Sequence, residues 1–324
     1  MKKIFITGAG GFIGSHLTEL CVKSGYSTKV FLHYNSQNYW EWLDGLPVVN
    51  EIEVVCGDVR DLDSVSRAMK GCDTVFHLAA LIGIPYSYES PMAYIKTNIE
   101  GTYNVLEAAR QYNYENVLIT STSETYGTAQ YVPIDEKHPM VGQSPYSATK
   151  ISADQLGISY HRSFNLPVKI VRPFNTYGPR QSARAIIPTV ITQLLSGKAE
   201  IKLGNLHPTR DLTYVKDTAA AFIEIAKADK LLGKITNVGT NTEISIGDLV
   251  KTIISLSGKN AAIIEDSQRI RPKNSEVERL VCNNSKILNN TAWRPQYDLK
   301  KGLTETIQWL TGNINMYKAE VYNV

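Results

Sequence analysis

Two short segments carry most of the chemistry open to this chain. Thr122-Ser123-Glu124 ends an apolar strand, and Tyr146-x-x-x-Lys150 begins the helix that follows. A tyrosine with a lysine one helical turn away can take the proton of a sugar hydroxyl while a nicotinamide accepts the hydride. Tyrosine ionises near pH 10, so a tyrosine base at neutral pH needs about three pH units of help, worth ~4 kcal/mol. Lys150 and an oxidised nicotinamide can supply it as nearby positive charge. Once a carbonyl forms, the carboxylate of Glu124 can remove the acidified proton beside it. Eighteen tyrosines make a chance Tyr-x-x-x-Lys unremarkable, so position gives this one its weight. Thr, Ser and Glu also suit a helix cap or a polar turn. Here Tyr126-Gly127 and then the Tyr/Lys pair come next in chain order, which favours chemistry.

A cofactor for that chemistry needs a phosphate cradle. Thr7-Gly8-Ala9-Gly10-Gly11-Phe12-Ile13-Gly14 joins an apolar strand, 3–7, to a helix, 12–24. Gly8 permits the tight turn, Gly11 lets backbone approach a pyrophosphate, and Gly14 packs the helix on the sheet. The amides of Phe12 and Ile13 open the helix as oriented donors. Asp58 after the third strand strengthens the reading of this turn as a dinucleotide site. The second strand ends His33-Tyr34-Asn35-Ser36, with neither the carboxylate that favours NAD nor an arginine. His33, Asn35 and Ser36 as neutral donors give NAD(P)+ with a slight lean to NADP.

Strands are expected at 28–33, 52–56, 74–78, 116–121 and 168–172, and helices at 62–70, 92–112 and 146–164. In the 92–112 helix Ile95, Ile99, Val105 and Leu106 mark the apolar side. Near-continuous apolar strands alternating with helices imply an α/β doubly wound parallel sheet of the Rossmann class, with ligands beyond the strands' carboxyl ends. Residues 1–178 form its dinucleotide-binding domain, and 212–240 return to it. A smaller α/β lobe for the substrate takes 179–211 and 241–312, and 313–324 is a tail.

The chain has 324 residues, 43% of them hydrophobic and 20% charged, with a net charge of +3. That is the composition of a globular protein, with no electrostatic footprint for nucleic acid or membrane. Cys21, Cys56, Cys72 and Cys282 lack metal-type spacing and read as reduced thiols of a cytoplasmic protein. The six histidines show no metal spacing either, and no metal site is expected. Lys2-Lys3 before an apolar stretch superficially mimics a signal peptide, but the glycines interrupt it at once.

The ordered motifs resemble those of the extended short-chain dehydrogenases/reductases, specifically the NAD(P)-dependent nucleotide-sugar epimerase/dehydratase family. Beyond the segments above they include His77-Leu78-Ala79-Ala80, Asn98, Arg172-Pro173-Phe174-Asn175-x-Tyr177-Gly178-Pro179, Arg210-Asp211, Tyr214-Val215-x-Asp217 and Arg271-Pro272. The resemblance spans residues 1 to about 312. It implies Thr122, Ser123, Glu124, Tyr146 and Lys150 as the catalytic set, with Tyr146 and Lys150 also touching the cofactor beside Asp58, Val59, Leu78, Ala79, Ala80, Pro173 and Asn175. It also implies Arg184, Arg210 and Arg271 with Asn175 as nucleotide-sugar ligands, Tyr86 and Ser87 near the hexose, and a tightly held, recycled cofactor. The related 4-epimerases lack a glutamate at position 124, whereas 4,6-dehydratases carry it. Thr-Ser-Glu also occurs in UDP-glucuronate decarboxylases, which stay open as an alternative beside the 4-epimerases. Residues 120–130, 145–146 and 178–184 are most similar to UDP-N-acetylglucosamine 4,6-dehydratases of nonulosonic-acid pathways. A homodimer through a four-helix bundle of the 92–112 and 146–164 helices is implied too. A non-catalytic dinucleotide sensor is the reading from another class.

Overall fold

The computed structural model describes residues 1–270 and 272–318. The first half alternates as the apolar pattern predicts: β1 (Lys3–Thr7), α1 (Phe12–Lys23), β2 (Ser27–His33), β3 (Ile52–Gly57), α2 (Leu62–Met69) and β4 (Thr74–His77). Two short helices, α3 (Ile84–Glu89) and α4 (Pro91–Tyr94), then lead through a wide π turn, Ile95–Glu100, into α5 (Gly101–Gln111). After them come β5 (Asn116–Thr120), α6 (Pro145–Phe164), β6 (Val168–Pro173) and β7 (Asn175–Tyr177). The second half contributes α7 (Ile186–Leu195), β8 (Glu200–Leu203), β9 (Thr209–Arg210), β10 (Leu212–Tyr214), α8 (Val215–Lys227) and β11 (Ile235–Val238). It closes with β12 (Ile244–Ser245), α9 (Ile246–Ser257), β13 (Ala262–Glu265), α10 (Ser285–Asn290) and α11 (Leu299–Gly312).

Seven strands form one parallel sheet in the order β11-β6-β5-β4-β1-β2-β3. Both faces are covered, as parallel sheets require. One core packs α1 and α8 on the sheet through Leu17, Cys21, Phe222 and Ile225. The other packs α2, α5 and α6 through Val65, Met69, Val105, Leu106 and Tyr160. A third core, around Ile191, Ile201, Leu249, Ile253 and Leu303, belongs to the smaller lobe. The strand order reverses between β1 and β4, and there the open end of the sheet must form a crevice.

Two expectations change. The apolar face of the 92–112 segment does not run through Ile95 and Ile99. Ile95 is exposed and Ile99 only half-buried, while Tyr94, Asn98, Thr102 and Val105 face inward. The π turn inserts extra chain and rotates the inward face, which a 3.6-residue period cannot foresee. Residues 212–214 also do not rejoin the main sheet. They pair with β7 as a separate two-stranded ribbon, and only β11 adds to the large sheet. Residues 313–317 stay docked: Ile314–Met316 forms a 3-10 turn, and the Tyr317 hydroxyl donates to Gln181 O at 2.8 Å.

A buried ion pair ties α6 to the sheet. Arg172 at the end of β6 contacts Asp154 of α6 at 2.6 Å, and both side chains are essentially inaccessible. Ser121 joins them, donating to Asp154 at 2.6 Å and accepting from Arg172 Nε at 3.1 Å. Removing one partner of such a pair leaves a buried charge uncompensated, at a cost of ~3–5 kcal/mol. Asp154→Ala is therefore expected to lower stability by that amount, read as a lower urea midpoint; an unchanged midpoint would contradict this role.

Candidate active site

The crevice begins at the glycine turn. Gly8 has φ +69, and a Cβ there would lie 2.7 Å from Ala79 N. A Cβ on Gly14 would lie 2.1 Å from Gly8 O, so the helix can approach the strand only as glycine. Gly11 opens α1 with no side-chain cap, which leaves the first-turn amides facing the cleft rather than a hydroxyl. This arrangement fits a pyrophosphate. The cleft, about 950 Å³, is lined by Gly8, Gly11, Phe12, Ile13, Gly14, His33, Asp58, Val59, Leu78, Ala79, Ala80, Pro173 and Asn175. All of these were expected at a dinucleotide. Asn35 and Ser36 were expected too but do not line the cleft. The Asn35 amide is spent on its own turn, accepting from Gln37 N and Tyr39 N and donating to Tyr39 O, and Ser36 is exposed.

The same cleft gathers Thr122, Ser123, Glu124, Tyr146 and Lys150. Thr122 leaves β5 extended and caps the 3-10 turn Ser123–Tyr126, accepting from Glu124 N at 3.3 Å. Gly127, at φ +63, ends that turn. Opposite it, α6 starts with Pro145 and a reciprocal Ser144/Ser147 capping box, which fixes Tyr146 and Lys150 in the first two turns. Asn98 is turned inward by the π segment. It accepts from Leu81 N at 2.9 Å and donates to Leu81 O at 2.9 Å and to Thr149 at 3.0 Å, tying the loop after β4 to α6.

Burial dominates the electrostatics. It raises the Tyr146 phenol above its ordinary value; a hydrogen bond from Thr122 opposes this and the Glu124 charge adds to it. Burial also lowers Lys150 to about 8, with Asp154 pulling the other way. His77, held between Thr7 and Thr102, is pushed down to about 3 by burial and by Lys150, so it is neutral. In the protein alone Tyr146 is therefore a neutral phenol. Sequence reasoning assigned the needed help to Lys150 and nicotinamide together, and the buried site shifts that burden toward the cofactor.

The cleft is also lined by Arg184 and Arg210, and Asn175 was expected at the sugar nucleotide as well as at the dinucleotide. Arg210 is buried, with Glu276 at 3.4 Å. The Oδ1 of Asn175 is buried without a hydrogen-bond partner among the described residues, an acceptor open to a ligand. Arg271 lies outside the described residues; Arg269, two positions earlier, lines the cleft. Ser87 is fully buried and its hydroxyl donates to Ile84 O at 2.6 Å, while Tyr86 packs on Tyr94. Neither lines the cleft. Their loop reaches it through Ile82, Gly83, Ile84 and Pro85 instead, because α3 turns 86–87 away. Gln181, Glu276 and Tyr317 also line it without a motif to announce them, and so does Glu41. Among the described residues no group of three His, Cys, Asp or Glu is arranged for a metal, and no helix is long and apolar enough to cross a membrane. Cys21, Cys72 and Cys282 are buried, Cys56 is exposed, and all four are free.

A glycine-rich turn at a switch point, with a Tyr/Thr/Lys set across the cleft, defines a dinucleotide-dependent enzyme that acts on a hydroxyl. The chain belongs to the GDP-mannose 4,6 dehydratase family, whose model matches residues 5–306. It is 32% identical, over 95% of its length and 97% of the relative's, to a UDP-N-acetyl-alpha-D-glucosaminuronate decarboxylase of Bacillus cytotoxicus. The dTDP-glucose 4,6-dehydratase of Streptomyces venezuelae, solved with NAD bound, superposes with TM-score 0.89 at 25% identity, covering 98% of this chain and 99% of that one. A UDP-glucuronic acid 4-epimerase from Bacillus cereus, solved with UDP-glucuronic acid and NAD, superposes at 0.87 with 28% identity, covering 96% and 99%.

Lys150 offers a test of the burial argument. Its folded pKa of about 8 lies below the ordinary 10.5, so the unfolded chain binds more protons between those values and stability rises with pH there. Below pH 8 the full cost of burying its charge is present. Lys150→Met is expected to melt above the wild type at pH 7, with the gap shrinking toward pH 10.5. A gap independent of pH in thermal melts would contradict it.

Proposed function

We propose that this protein is a nucleotide-sugar 4,6-dehydratase that converts UDP-N-acetylglucosamine to a UDP-4-keto-6-deoxy-hexosamine. The observation that carries this reading is Glu124, in the same cleft as Tyr146 and close enough for its charge to act on the phenol. An oxidoreductase or epimerase acting only at C4 has no use for such a carboxylate. The segments 120–130, 145–146 and 178–184, similar to UDP-N-acetylglucosamine 4,6-dehydratases, support the substrate and a place in nonulosonic-acid synthesis.

A bound oxidised nicotinamide would supply a hydride acceptor at C4 and the hydride donor for C6, held by the glycine turn, Asp58-Val59, Tyr146 and Lys150. Tyr146 Oη takes the C4 hydroxyl proton, and Thr122 hydrogen-bonds the same oxygen. Lys150, charged below about pH 8, favours the phenolate. The new C4 ketone acidifies C5–H, and the Glu124 carboxylate removes that proton. The C6–O bond then breaks and the departing hydroxide leaves as water, protonated by Glu124 or through the buried Ser123 hydroxyl. C5 regains a solvent-exchanged proton as hydride returns to C6, so no cofactor is consumed. Arg184, Arg210 and Arg271 grip the diphosphate, as planar bidentate donors suit. Exposed Met92, Ile95, Tyr103 and Phe164 on the α4–α5 and α6 surfaces support a homodimer through a four-helix bundle. Three buried free thiols suit a reducing cytoplasm.

A decarboxylase reading is favoured by the Bacillus cytotoxicus relative and by the Thr122-Ser123-Glu124 triplet that such enzymes share. Incubation with UDP-N-acetylglucosamine in heavy water is expected to give loss of water with deuterium at C5, read by mass spectrometry and NMR. A product that keeps its C6 hydroxyl would point to an epimerase. Carbon dioxide released from a UDP-uronate, with UDP-N-acetylglucosamine untouched, would point to a decarboxylase.

Tyr146→Phe should lower turnover about 10²–10⁴-fold while nucleotide binding persists, since only the proton acceptor is lost. Equal loss of rate and binding would mark Tyr146 as structural instead.

A further inference from the structure

The second strand ends without an acidic residue, yet a carboxylate stands in the cleft at that strand's end. It is Glu41, eight residues after His33. The loop folds it back against the glycine turn. A Cβ on Gly10 would meet Glu41 Oε2 at 2.9 Å, its Cβ at 3.0 Å and its Cδ at 3.1 Å. The whole side chain therefore lies along Gly10, which only a glycine at that position permits.

Several contacts fix the loop. Trp42 N donates to Gly10 O at 3.2 Å, and the Trp42 ring packs edge-on against Trp309 of α11 with centroids 5.5 Å apart. Leu43 is fully buried, and Trp40 N donates to Asp44 at 3.0 Å. Glu41 itself sits at φ +57, a left-handed conformation that a non-glycine residue holds only when its surroundings impose it. Burial also raises its carboxyl above the ordinary value, and His33 acts on it from the strand end. Asp58 and Arg60, which also line the cleft, are paired with each other, and His33 lies 3.8 Å from Asp58.

A dinucleotide with its pyrophosphate on the α1 amides and its adenine at Asp58-Val59 must pass its adenosine ribose over the end of β2. That path runs between Gly10 and His33, where Glu41 is held. We propose that Glu41 accepts the hydrogen bonds of the two ribose hydroxyls and excludes a 2′-phosphate, making NAD the cofactor. The loop thus supplies the carboxylate that the strand end lacks, and the slight lean to NADP drawn from the strand end alone is reversed. A phosphate beside this carboxylate would be a juxtaposition of like charges in a partly dry site, which costs several-fold to many-fold in affinity.

This inference rests on the reading that the glycine turn holds a dinucleotide, and binding measurements separate the two. Calorimetric titration of the cofactor-stripped protein would compare NAD with NADP, and AMP with adenosine 2′,5′-bisphosphate. The dinucleotide released by denaturing the protein as purified would be identified by mass spectrometry. The wild type is expected to bind NAD and AMP roughly a hundredfold more tightly than their 2′-phosphorylated counterparts. Glu41→Gln, which keeps the shape and removes the charge, should shrink that ratio to within about tenfold, chiefly by gain of the 2′-phosphorylated ligands. Glu41→Ala should shrink it likewise and also weaken NAD. Equal wild-type affinity for the two series, or full discrimination retained by both variants, would overturn the role of Glu41. Failure of the folded wild type to bind any of the four ligands would instead overturn the dinucleotide reading, and this inference with it.

Discussion

Burying a phenol and an ammonium together sets the terms for everything else in this molecule. Dry surroundings disfavour the charged form of each, raising Tyr146 and lowering Lys150. Both groups so placed favour their neutral forms, and a positive ring bound beside them would draw the phenol toward its charged form. The surrounding structure preserves this dryness. His77 is kept neutral between two threonines, Asn98 satisfies the backbone of the neighbouring loop, and Tyr94 packs edge-on against Tyr146 at 6.3 Å. The charge that must remain, Arg172 with Asp154, lies behind the helix, where it anchors α6 and also bears on Lys150.

The fold supplies position with few parts. The sheet reverses its winding between β1 and β4, so the glycine turn and the strand end carrying Thr122 face one crevice from different strands. The groups proposed as catalytic come from a capped 3-10 turn and from the first two turns of a capped helix, both rigid settings. The smaller lobe adds arginines to the cleft, beside the carbonyl oxygen of Asn175, which has no hydrogen-bond partner among the described residues. One crevice thereby offers an apolar, phosphate-binding half and a polar, cationic half, the division a dinucleotide and a sugar nucleotide would need.

Much of this was legible in the amino-acid order, for a physical reason. Parallel strands buried on both faces must read as apolar runs, and a backbone that approaches phosphate must read as glycine, so β1 to β6 and the turn at 8–14 declare themselves. Features that depend on distant contacts do not. The π turn at Ile95–Glu100 depends on tertiary packing and on the inward placement of Asn98, and a 3.6-residue count through it assigns Ile95 and Ile99 to the wrong side. Ser87 looked available because its partner, the carbonyl of Ile84, exists only once α3 forms. Glu41 was invisible because a loop with no periodicity carries it back to Gly10, held partly by Trp309 more than 260 residues away.

The account turns on Glu124 drawing off a proton only after C4 has been oxidised. Rapid mixing of Glu124→Gln, loaded with oxidised cofactor, with UDP-N-acetylglucosamine separates the two stages by the absorbance of reduced nicotinamide. The account predicts that this signal rises and stays, with no keto-deoxy product and no deuterium entering C5. Keto-deoxy product appearing at the wild-type rate would contradict it.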